Sequence, residues 1–163
     1  MTDITKTCFF TGHRKILKED LEGIKFHLKN ELIKKYNDGI NCFISGGALG
    51  FDTLAAQTVL ELKKEKYSDI KLILYIPCYN YDENWSYEQK CILHHLKCAA
   101  DDILIITKSN YTKDCPKKRN LALVKSSCCG IAYMVRERTG TSQTIMMAKK
   151  EQKEVINIAE LLQ

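Results

Sequence analysis

Three short segments set glycine beside hydroxyl, cationic or carboxylate side chains: Thr11-Gly12-His13-Arg14, Ser45-Gly46-Gly47-Ala48-Leu49-Gly50-Phe51-Asp52 and Arg138-Thr139-Gly140-Thr141-Ser142. Glycine lets a backbone turn tightly and approach an oxyanion. Where such a turn opens a helix, free amides and the positive end of the helix dipole favour a phosphate. The Thr and Ser hydroxyls add donors, and Arg14 offers a planar five-donor fork suited to a phosphate or a base. His13 can donate or accept. Asp52 either binds a ribose hydroxyl or caps the amides of the helix it begins. One such loop has a purely steric explanation, whereas three at one sheet edge point to a ligand. There is no Gly-Lys-Ser/Thr at Walker A spacing and no strict GxGxxG, which removes the ordinary NTPase and dehydrogenase readings.

The elements that must carry these loops alternate along the chain. Thr7 to Phe10 reads as a buried strand, followed by a helix on Leu21, Ile24, Leu28, Leu32 and Tyr36 that stops at Gly39. Ile40 to Ser45 is a second strand, with a helix through about Lys66 after it, and Ile70 to Ile76 a third strand, stopped by Pro77. Trp85 to Cys98 reads as a helix and Ile103 to Ile106 as a strand; Asp114 with Pro116 marks a helix start. Cys128 to Val135, a helix over Ser142 to Lys150 and a short strand at Val155-Ile156 complete the series. Apolar runs without polar alternation predict strands covered on both faces, hence an α/β fold with a parallel sheet and crossover helices. In such sheets the ligand crevice lies beyond the carboxyl ends of the strands, where all three loops fall.

At 163 residues, a single domain over 1–163 is expected. No apolar run approaches the length of a membrane span, and Asp3 and Lys6 interrupt the beginning of the chain, so a cytoplasmic location without membrane contact is expected. The eight cysteines show no CxxC pair and no Cys/His zinc spacing, and His94-His95 lacks a partner at metal spacing; no metal or cofactor is expected. A net charge of +5 suits an anionic ligand and tolerates nucleic acid, although much of it sits on helical lysines such as Lys34, Lys35, Lys149 and Lys150. Trp85, with Tyr79 and Tyr81 nearby, either stacks on a base or packs as core or lid.

The run Cys8 to Arg14, the run Phe43 to Ala56 (FISGGALGFDTLAA), Arg119-Asn120 and Thr139 to Thr144 (TGTSQT) together resemble the YpsA-like branch of the SLOG superfamily. That superfamily joins the DNA-processing protein DprA/Smf to the Lonely Guy phosphoribohydrolases, and the resemblance spans nearly the whole chain. It implies a modified Rossmann-like, three-layer fold with a mostly parallel sheet, a phosphate at the Gly140-Thr141 turn, a ligand role for Arg119 and Asn120, and a homo-oligomer. Lonely Guy enzymes cleave N-glycosidic bonds with an Arg and a Glu. Arg119 matches the arginine here, but Gln143 or Thr144 fills the glutamate position and neither carries charge. The leading expectation is a sensor or sequestering protein for a nucleotide-type small molecule, in the manner of phage defence or anti-defence, without turnover. The alternatives are a phosphoribohydrolase using Asp52 or Glu83, and a DprA-like module for single-stranded DNA.

Overall fold

A computed structural model describes residues 2–162. Six strands, β1 (Thr7–Gly12), β2 (Cys42–Ser45), β3 (Lys71–Ile76), β4 (Asp102–Ile105), β5 (Cys129–Tyr133) and β6 (Glu154–Asn157), form one sheet in the order β4-β3-β2-β1-β5-β6. Every pairing is parallel, with Cys8 opposite Phe43 on one side of β1 and Cys129 on the other. Five helices make the crossovers: α1 (Leu21–Asn37), α2 (Phe51–Glu65), α3 (Tyr87–Ala99), α4 (Cys115–Lys125) and α5 (Gly140–Lys150). The result is a three-layer, Rossmann-like α/β fold.

Strand alternation divides the core between the two faces. Phe10, Phe43, Leu72 and Ile131 point to the side where Leu28 of α1 and Phe51 and Val59 of α2 bury theirs. Phe9, Ile44 and Ile73 point the other way, toward Leu123, Val124 and Ala148. Phe10 stacks on Phe43 at 5.9 Å and meets Phe51 edge-on at 6.4 Å, which locks the start of α2 to the centre of the sheet. Each such aromatic contributes roughly 1.5–3 kcal/mol by leaving water.

The chain winds outward from β1 through β2 and β3 to β4, then returns across the sheet to β5 on the other side of β1. The loops leaving β1 and β5 therefore diverge, and a crevice opens between them at the carboxyl ends.

Four local differences from the sequence reading have physical causes. Coverage of both faces holds for the central strands, but Ile103 and Leu104 of the edge strand β4 are 38% and 42% exposed, since an outermost strand lies at the margin of both helical layers. Trp85 precedes α3 instead of starting it, because Ser86 and Gln89 form a capping box that makes Tyr87, two residues later, the first helical residue. Asp114 makes no side-chain cap to α4; its carboxylate is taken by the Thr112 hydroxyl and, at 2.9 Å, by Lys118. Helix α5 starts at Gly140 and not at Ser142, since Thr139 and Ser142 close a capping box around that turn. All eight cysteines are free thiols. Among the described residues no helix is long and apolar enough to cross a membrane, and no group of three or more His, Cys, Asp or Glu side chains is arranged to hold a metal.

Candidate functional site

The crevice between β1 and β5 is a cleft of about 310 Å³. Thr11, Gly12, His13 and Arg14 form its β1 side, Arg119 and Asn120 of α4 one wall, and Gly140 and Thr141 the opposite turn, with Asp52 of α2 reaching in. Lys15, Ala48, Pro116, Arg136 and Thr139 complete the lining.

Arg119 is the most unusual of these groups. It is only 7% exposed, and burial pulls its pKa below the ordinary value, yet a guanidinium stays charged at any physiological pH. It donates from Nε to Asn120 Oδ1 at 2.8 Å and from a terminal nitrogen to the Gly46 carbonyl. These are neutral acceptors. Among the described residues no carboxylate lies within 4.0 Å of Arg14, Arg119 or Arg136, so three cations around the cleft carry charge that the protein does not cancel at contact distance.

Asp52 is 4% exposed, and one carboxylate oxygen, Oδ1, is buried without a hydrogen-bond partner. It does not cap α2. Gly50 holds that position with φ 81°, and no side-chain cap bond forms. Burial pushes the Asp52 carboxyl up to about 6, opposed first by the positive charge of Arg119. A nine-tenths buried acid with an orphaned oxygen, lining a cationic cleft, has an acceptor to offer to a donor placed there.

His13 organises the cleft floor. Its Nε2 accepts the Val135 amide at 2.9 Å, its own amide donates to the Tyr133 carbonyl at 3.2 Å, and its ring meets Tyr133 edge-on at 5.8 Å. An accepting Nε2 assigns the proton of the neutral ring to Nδ1. Burial, and then the charge of Arg136, lowers its pKa below 6.5 and keeps it neutral.

At the third turn, Thr139 Oγ1 accepts the Ser142 amide at 3.2 Å while Ser142 Oγ accepts the Thr139 amide at 2.8 Å. Ser142 is thereby spent on the cap and does not line the cleft. The amides of Gly140 and Thr141, at the first two positions of an eleven-residue helix, have no acceptor among the described residues.

The Ser45 to Gly50 loop behaves differently. Ser45 Oγ donates to the Asp52 carbonyl at 2.9 Å and accepts the Gly47 amide at 3.2 Å. Gly47 accepts from the Tyr81 hydroxyl at 3.3 Å. A Cβ on Gly46 would sit 2.5 Å from Arg119 and 2.8 Å from Asp52 Oδ2; one on Gly50 would sit 2.2 Å from the Arg14 carbonyl oxygen. Of this segment Ala48 and Asp52 reach the cleft, and Ser45, Gly46, Gly47 and Gly50 do not. Their glycines make room for protein groups that do. Trp85 lies in a neighbouring cleft with Tyr81. Sequence reasoning singled out neither Lys15 nor Arg136, because basic side chains in loops carry no periodicity that marks which way they face.

The sequence model of the YspA SLOG family matches residues 9–161. A UPF0398 protein of Bacillus cereus is 30% identical over 146 residues, covering 87% of this chain and 79% of the relative, and one from Bacillus thuringiensis aligns with the same identity and coverage. DNA processing protein A of Streptococcus pneumoniae superposes with a TM-score of 0.68 at 19% identity, over 93% of this chain and 49% of that one. Its Helicobacter pylori counterpart, described for its single-stranded DNA binding mode, gives 0.65 at 20% identity, over 93% and 64%. The chain thus spans about half of the first structure and under two thirds of the second, and at this identity the likeness is one of fold.

Proposed function

The chain belongs to the YspA SLOG family, and from that premise we propose that it binds a nucleotide or nucleotide-derived ligand by its phosphate in the β1–β5 cleft, as a sensor or sequestering protein that leaves the ligand intact. The observation that carries this reading is the buried Arg119, uncancelled by any carboxylate at contact distance and facing the free amides of α5 across one cleft. A phosphate supplies the missing charge, and Asp52 takes a ribose hydroxyl. Pairing of two copies is part of the same proposal, and sedimentation reads it directly.

Two observations keep other activities in the test. The fold likeness to a single-stranded DNA-binding protein favours a DprA-like contact, whose affinity would fall steeply as salt rises. The cleft also holds one carboxyl, Asp52, where an N-glycosidic hydrolase needs one; Gln143 is exposed on α5 outside the cleft, and Thr144 donates to the Gly140 carbonyl at 2.9 Å.

Thermal unfolding of the purified protein with AMP, GMP, ADP-ribose and cyclic dinucleotides, followed by chromatography of any stabilising compound, separates these readings. A ligand at 100-fold its Kd adds about 2.7 kcal/mol of stability. Stabilisation with the compound recovered intact, lost in Arg119→Lys, is expected. Released free base makes the protein a hydrolase, and no stabilisation by any nucleotide overturns the proposal.

A further inference from the structure

A second cleft, of about 450 Å³, lies on the same side of the sheet, lined by Tyr81, Trp85, Tyr111, Glu83 and Asn84. Arg14 lines both clefts and so lies where they meet. The two walls differ in kind. The first offers cations and free amides; the second offers aromatic faces, with the Tyr81 and Trp85 rings 5.2 Å apart and inclined at 77°. Its polar groups are partly committed: Asn80 accepts the Tyr111 amide at 2.8 Å and donates to Glu83 Oε2 at 3.3 Å, and Gln89 Oε1 is held by the α3 cap. The Asn84 amide and the other Glu83 oxygen have no hydrogen-bond partner among the described residues and remain available to the edge of a planar ring.

Resting on the reading of the first cleft as a phosphate site, we propose that the two clefts hold the two halves of one dinucleotide-type ligand. One ribose phosphate lies over Arg119 and the α5 amides, the phosphate bridge crosses Arg14, and the distal nucleobase stacks on Trp85 beside Tyr81. Each cleft alone is at the small end of the roughly 300–1,000 Å³ range of small-molecule sites, and the pair together falls well inside it. A mononucleotide would occupy only the first.

Trp85 is the chain's single tryptophan, so its emission reports the second cleft without a label. The protein is titrated with inorganic pyrophosphate, AMP, diadenosine and diguanosine pyrophosphates, and oligothymidylates of increasing length. The expected result is quenching by a dinucleoside pyrophosphate that binds at least about tenfold tighter than AMP. Trp85→Leu then lowers that affinity by about 5- to 150-fold, while Trp85→Phe, which keeps an aromatic face, restores most of it. Equal affinity for AMP and the dinucleoside pyrophosphates, with unchanged emission, overturns the two-cleft ligand and leaves the one-cleft reading standing. Absence of binding by every nucleotide overturns both. An affinity that climbs with oligothymidylate length past that of the dinucleoside pyrophosphates assigns the surface to nucleic acid and overturns the small-molecule ligand.

Discussion

The loop after β2 and the turn after β5 look alike in sequence, each a glycine-containing link from strand to helix, yet they spend their polar groups in opposite ways. The β2 loop closes on itself and on its neighbours. Ser45 staples Gly47 to α2, the Gly46 carbonyl receives Arg119, and Gly50 lets the Arg14 backbone pass. The β5 turn uses one capping box and leaves two amides free at the cleft. Glycine in the first loop answers to protein packing; in the second, nothing lies within 4 Å of where a Cβ would stand at Gly140. A glycine-rich strand-to-helix link therefore identifies a ligand site only when its donors remain unspent.

Substitutions in the two loops should separate these roles. The largest effect is expected at Gly50, where φ 81° and a clash with main chain leave alanine no accommodation: Gly50→Ala should lose about 3 kcal/mol or more in urea unfolding. Retained stability there would erase the contrast. Asp52→Asn should move stability the other way. A carboxyl whose folded pKa is raised to about 6 contributes fully below its unfolded value of 3.8, and that contribution is lost as pH rises through about 6. The variant is thus expected to be more stable than the parent by about 2 kcal/mol at pH 8 and no more stable at pH 4, while nucleotide binding weakens. A uniform loss at both pH values would make Asp52 a structural residue.

His13 titrates in the reverse sense. Its folded pKa is depressed, so its contribution is intact above 6.5 and is lost as pH falls below that, when a protonated Nε2 can no longer accept the Val135 amide. His13→Gln should cost about 1 kcal/mol at pH 8 and flatten the difference in stability between pH 7 and pH 5, read by thermal unfolding at each pH. The smallest effect belongs to Gly140→Ala, which should leave stability within about 0.5 kcal/mol of the parent while its methyl group reduces stabilisation by any bound nucleotide.

The fold was legible because long apolar runs, helical spacing and Pro77 punctuate the chain where strands and helices change. Element ends were less so. That α3 begins at Tyr87 and not at Trp85 depends on a reciprocal cap between Ser86 and Gln89, and the start of α5 depends on a similar pair, both visible only once the side chains are placed. The cleft was legible as a set of loops but not as a set of roles. Arg119 lies on a helix far along the chain from Gly46 and drew notice through family resemblance alone. Nothing in the order of residues distinguishes Ser45, which is spent, from Thr141, which lines the cleft. That difference arises when distant segments meet.

The half-covered strand β4 has a consequence for how the molecule breathes. Exchange of backbone hydrogens with solvent follows local opening, and an outer four-residue strand with Ile103 and Leu104 partly in water should exchange well before the central strands. The β1–β5 cleft is built on two interior strands whose residues, Gly12 apart, are all buried. Fraying at β4 can therefore recur many times without disturbing the loops that frame Arg119, and the margin of the sheet serves as a sacrificial zone that keeps thermal disorder away from its centre.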